Sequence, residues 1–84
     1  MKELKLTKRC REIYKIVAKF EDTNGDRYQV TESMWWTPDG DTYRFFLERR
    51  QYRCGRFTTL RGFDSKEEAI QHMKDHYAGQ NQAR

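Results

Sequence analysis

Between Tyr43 and Arg61 the chain sets six arginines and no lysine among five aromatic rings. The arginines are Arg44, Arg49, Arg50, Arg53, Arg56 and Arg61, and the rings are Tyr43, Phe45, Phe46, Tyr52 and Phe57. A guanidinium is a planar fork that meets phosphate or carboxylate oxygens in pairs and stacks on flat rings. An exposed aromatic gives a nucleic-acid base a surface to stack on. The chemistry on offer is recognition of a phosphate-bearing or acidic partner. In an extended chain Arg44, Phe46 and Arg50 share one face, which puts Phe46 outside the core between cations. The alternative is that Phe46 packs under the N-terminal segment or against Trp35. Trp35 and Trp36 are neighbours and face opposite ways in a strand, so only one of them can enter the core. The other is either a binding anchor or lies against a neighbouring strand. The candidate binding residues are therefore Trp35, Trp36, Arg44, Phe46, Arg49, Arg50, Tyr52, Arg53 and Arg56.

Other chemistries find less support. His72 and His76 lie four apart on a helical pattern, and Cys10 and Cys54 could complete a zinc tetrad. The two cysteines are far apart in sequence, though, and neither belongs to a Cys-x-x-Cys pair. The expectation is no metal, no cofactor and two thiols rather than a bridge. The carboxylates cluster in turns and at a helix start, where capping explains them. No glycine-rich phosphate loop and no serine–histidine–acid set is suggested, so the chain reads as a non-catalytic protein.

The elements that must position these side chains follow from alternation and turn chemistry. Tyr14, Ile16, Ala18 and Phe20 alternate with Lys15 and Lys19, which predicts a half-buried strand over 13–20. Asp22-Thr23-Asn24-Gly25-Asp26 is a tight turn, with Asn-Gly tolerating positive φ. A second strand is predicted over 27–36 and a turn over Thr37-Pro38-Asp39-Gly40-Asp41. A third strand follows over 42–50, with Tyr43, Phe45 and Leu47 toward the core. Gly55 is the expected turn residue of the next connection, and a short fourth strand covers 56–61. Asp64 with Glu67, or Ser65 with Glu68, forms a capping box. The helix it opens buries Ala69, Ile70, Met73 and Tyr77 beside the stem of Lys66 and ends at Gly79. The predicted fold is α+β: a four-stranded antiparallel meander with one C-terminal helix on one face, β-β-β-β-α. Residues 1–9 are a basic arm, with an edge strand starting at Leu4 and Leu6 as the alternative, and 80–84 a disordered tail.

With 84 residues the chain is one domain. Its net charge is +4, but the sign changes by segment. Residues 2–19 carry a net +5, 20–42 a net −5, 43–61 a net +5 and 62–84 a net −1, which predicts separate basic and acidic surfaces. A mean hydropathy of −1.17, no apolar run near ~18 residues and an N-terminus without an apolar signal core predict a cytoplasmic protein with no membrane partner, monomeric or homodimeric.

Three runs carry a resemblance: Tyr43-Arg44-Phe45-Phe46-Leu47, then Arg56-Phe57-Thr58, then Gly62-Phe63-Asp64-Ser65-Lys66-Glu67-Glu68-Ala69-Ile70. Together they resemble the AP2-like, arm-type DNA-binding domain of tyrosine integrases, a three-stranded sheet followed by a helix, whose open sheet face enters the major groove. That resemblance implies Arg44, Phe46, Arg50 and Arg56 as reading residues, although this chain has an extra hairpin in front and no recombinase behind. The helix entry at Phe63-Asp64-Ser65 also resembles small phage proteins built as a four-stranded sheet with a helix, some anti-CRISPR proteins among them. The two resemblances imply different partners. The first implies DNA or RNA bound on the sheet face. The second implies a nucleic-acid-handling host protein complex, inhibited by docking on its nucleic-acid groove or an acidic surface.

Overall fold

The computed structural model describes residues 1–36, 40 and 42–78, with residues 34–36, 42, 43 and 78 described by backbone position only. The chain runs β1 (Lys2–Glu3), α1 (Lys8–Glu12), β2 (Ile16–Glu21), β3 (Arg27–Trp36), β4 (Thr42–Arg50), β5 (Thr58–Phe63) and α2 (Lys66–Met73), which continues as a π-helical turn over Lys74–Ala78. The strands form one antiparallel sheet in the order β1-β2-β3-β4-β5. The α+β class and the meander with a C-terminal helix agree with expectation; the strand number does not. Five strands are present because the start of the expected arm joins the sheet. Lys2 pairs with Glu21, Glu3 with Phe20, and the Leu4 N–H donates to the Lys19 carbonyl at 2.9 Å.

Alternation in β2 buries Ile16, Ala18 and Phe20. Register then sets Phe20 opposite Tyr28 and Ala18 opposite Val30, and Val30 opposite Leu47. These residues, with Phe63, Ala69 and Met73, make up the buried cluster, and Phe45, Ile70 and Tyr77 pack at its margin. The helix begins at Ser65, whose Oγ accepts the Glu68 N–H at 3.2 Å; Ser65 with Glu68 is thus the pair that caps it.

Three register shifts adjust the sheet among the described residues. One lies in β2 between Ile16 and Ala18 and one in β3 between Glu32 and Trp35. The third inserts Leu60 into β5, so Arg61 faces Leu47 while Thr59 faces Glu48. That shift moves the fourth expected strand to Thr58–Phe63 and draws Phe63 into the sheet, ahead of the helix. The first expected strand likewise begins later, at Ile16. Before it stands α1, capped by Thr7, whose Oγ1 accepts the Cys10 N–H at 3.2 Å. None of its residues is buried. The 37–41 turn lies outside the described residues except for Gly40, which has φ +90°; Gly79 and the 80–84 tail also lie outside them. Among the described residues no helix is long and apolar enough to cross a membrane.

Candidate functional site

The face of the sheet away from α2 can be read in rows from the register. One row is Glu21, Arg27 and Arg50; the next is Lys19, Gln29, Glu48 and Thr59; a third is Thr31, Phe46 and Gly62. The middle of this face holds an acid. Glu48 Oε1 accepts from Gln29 Nε2 at 2.6 Å and Oε2 from the Thr59 hydroxyl at 3.4 Å. Beside it, Thr31, Ser33, Phe46, Glu48 and Thr59 line a shallow hollow of about 290 Å³. The open face therefore mixes both signs, and its basic character gathers toward one end.

That end is where the β2–β3 turn meets the β4–β5 loop. The turn is held from within. Asp22 Oδ1 accepts the N–H groups of Asn24 at 2.9 Å and Asp26 at 3.0 Å, and Gly25 takes φ +88°. Asp22 and Asp26 are each only 8% exposed. The acidic surface expected over this segment is thus, at these two positions, a buried scaffold. Asp26 reaches across to the loop: Oδ2 accepts from an Arg49 nitrogen at 2.7 Å and Oδ1 from the Tyr52 N–H at 2.8 Å. Burial on its own would push the Asp26 carboxyl up. The hydrogen bonds from Arg49 and the Tyr52 N–H, with the Arg49 charge, outweigh it and hold the group below the usual aspartate range.

Arg49 belongs to this scaffold. It shares the Leu47 side of β4, pairs opposite Tyr28, and its guanidinium lies 5.8 Å from the Tyr28 ring centre and 5.5 Å from that of Tyr77. Tyr28 itself is buried, and burial pushes its phenol up to about 12. Arg44 lies toward the other end of β4, ion-paired to Glu32 at 2.7 Å. Trp35 and Trp36 pair by backbone with Tyr43 and Thr42, and their side chains lie outside the described residues.

The β4–β5 loop presents what remains. A turn is closed by the Cys54 N–H donating to the Gln51 carbonyl at 2.8 Å. Its third residue, Arg53, takes φ +67°, a left-handed position, in the connection whose expected turn residue is Gly55. For a non-glycine residue this conformation costs on the order of 1 kcal/mol. The Asp26 anchor on the preceding N–H offsets it. Tyr52 is 62% exposed, yet its ring lies over Gly25, where an added Cβ would come within 2.8 Å of Tyr52 Cδ2. Gly25 thus serves both the positive φ and the close approach. The Arg53 guanidinium lies 5.4 Å from the Tyr52 ring centre, and that of Arg50 5.5 Å from Phe57.

Turn and loop enclose a cleft of about 500 Å³ whose lining includes Glu21, Arg27, Arg50, Tyr52 and Arg53. Glu21 accepts from Arg27 at 3.1 Å. Among the described residues no carboxylate ion-pairs with Arg50, Arg53 or the exposed Arg56. Of the nine candidate residues, Arg50, Tyr52 and Arg53 thus come together in the cleft, Arg56 lies further along the same loop, and Phe46 lies on the sheet face. The sequence reading missed Arg27 and Gly25; the register opposite Arg50 would have found Arg27.

The potential metal ligands do not converge. His72 and His76 stack with ring centres 4.2 Å apart, Cys10 and Cys54 are free thiols, and among the described residues no three metal-capable side chains group together. Comparison with protein-family models, curated proteins and solved structures finds no match to this chain.

Proposed function

We propose that the protein is a non-catalytic, cytoplasmic binding protein that engages nucleic acid through the cleft between the β2–β3 turn and the β4–β5 loop. The observation that carries this reading is the pairing of Arg50 with Phe57 and of Arg53 with Tyr52, with neither arginine held by a carboxylate among the described residues. Guanidinium groups set beside rings and without a carboxylate partner suit phosphate oxygens. Binding to DNA or RNA is then expected to weaken steeply with salt, with a log–log slope of about −0.9 per phosphate on a duplex. Arg50→Ala and Arg53→Ala should each make that slope shallower by about one unit. Fluorescence anisotropy across a salt series measures it, and no binding of any DNA or RNA at low salt overturns the reading.

A second reading has its own observation. Glu48, hydrogen-bonded in the middle of the open face beside the Phe46 hollow, is unfavourable to phosphate but suits a protein that carries both signs. On this reading the chain is a phage-type, anti-CRISPR-like inhibitor docking on a nucleic-acid-handling host complex. Glu48→Lys separates the two, because Asp22 and Asp26 are buried and reversing them would break the turn. Tighter binding to nucleic acid after Glu48→Lys supports the first reading. Weaker capture of a host complex, with retention unaffected by nuclease, supports the second.

A further inference from the structure

We infer that the cleft takes single-stranded nucleic acid, with a backbone phosphate against Arg50 and Arg53 and a base against Tyr52. This rests on the nucleic-acid reading above and narrows it to a ligand class. The first argument is shape. A protein that reads a duplex directly inserts a projecting helix or strands into a major groove ~12 Å wide. Here the turn and the loop flank a hollow, and its volume of about 500 Å³ lies in the range of ~300–1,000 Å³ typical of small-ligand sites. It has room for a nucleotide and not for a double helix.

The second argument is presentation. Tyr52 keeps 62% of its surface exposed although its backbone N–H is fixed by Asp26, its turn is closed at Cys54 and its ring is seated on Gly25. An aromatic that is immobilised and still exposed offers stacking area with little further ordering on binding. Bases inside a duplex are already stacked on one another and cannot use it. The third argument is charge. Arg27 is balanced by Glu21, so Arg50 and Arg53 are the cations lining the cleft that are left for a phosphate, one to each side of Tyr52 in sequence. Two guanidinium groups beside one ring match the backbone-plus-base repeat of a single strand.

The test uses four labelled or competing ligands by fluorescence anisotropy: an oligothymidylate strand, the same strand annealed to oligoadenylate, an abasic strand with the same number of phosphates, and free thymidine monophosphate. The single strand should bind roughly tenfold or more tighter than both the duplex and the abasic strand. Tyr52→Ala should lose a similar factor on the thymidylate strand, lose little on the abasic strand and leave the salt slope unchanged; Tyr52→Phe should restore binding. The abasic arm needs no variant and so decides the matter even if Tyr52→Ala proves unstable. Equal affinity for strand, duplex and abasic strand overturns the inference while nucleic-acid binding itself stands. Monophosphate binding as tight as the strand would make the cleft a nucleotide site and also overturns it. Binding of none of the four, at low salt, removes the underlying reading as well.

Discussion

Asp26→Ala is expected to lower the unfolding free energy by about 3 kcal/mol at neutral pH, measured by urea unfolding followed by circular dichroism. Asp26 is 8% exposed, and its carboxylate is the joint between two connections. It accepts from Arg49 at 2.7 Å and from the Tyr52 N–H at 2.8 Å, while its own N–H donates to Asp22. Alanine leaves the Arg49 guanidinium between Tyr28 and Tyr77 without its anion and the Tyr52 N–H without its acceptor. Removing one partner of a buried pair costs about 3–5 kcal/mol. The Arg49 side chain is 28% exposed, so water takes up part of the loss and the lower end applies. The effect should depend on pH in one direction. The Asp26 carboxyl titrates below its ordinary value, so its contribution is fully present above the unfolded value of about 4. That contribution is lost as pH falls through the lower folded value. The gap between wild type and Asp26→Ala should therefore be constant near neutrality and close below about pH 4. A variant as stable as wild type at pH 7, or a gap unchanged in acid, would contradict the role given to Asp26.

The same joint shows where reading from sequence succeeds and where it stops. Alternation located β3 and β4 because their apolar residues recur at the period of two that a half-buried strand requires, and the Ser65–Glu68 spacing marked the helix start. β1 has two residues and no pattern; it exists because β2 offers it an edge, which is tertiary information. α1 buries nothing, so it leaves no apolar periodicity, and only Thr7 at its cap marks it. Charge alone groups Arg49 with the surface arginines, whereas its parity with Leu47 points it to the helix side. Charge alone also makes Asp22 and Asp26 surface acid, yet the Asp-x-Asn-Gly-Asp spelling is that of a turn whose carboxylate accepts its own backbone N–H groups. The left-handed residue at Arg53 has no local signal at all, since a neighbouring glycine was available. What holds it is a carboxylate on another connection, remote in sequence.

Leu47→Ala should cost about 3 kcal/mol, an effect as large as that at Asp26. Leu47 is fully buried, lies opposite Val30 and Arg61 in the sheet, and belongs to the cluster that Ala69 and Met73 of α2 close from above. Truncation removes buried methyl groups and leaves a cavity that two rigid sheet neighbours and a helix collapse into only partly. A loss of that size is a large share of the ~5–15 kcal/mol that typically separates folded from unfolded domains, so the melting transition should move down by many degrees. The cleft does not depend on Leu47 directly. Its loop is fixed by Asp26, Gly25 and the Gln51–Cys54 turn, none of which contributes to the Leu47 cluster. Well below its melting transition, Leu47→Ala should therefore bind with the wild-type salt slope, whereas Arg50→Ala should melt like wild type and bind with a shallower one. An altered slope in folded Leu47→Ala would show that the sheet core sets the geometry of the loop, and that the cleft is less self-contained than its hydrogen bonds imply.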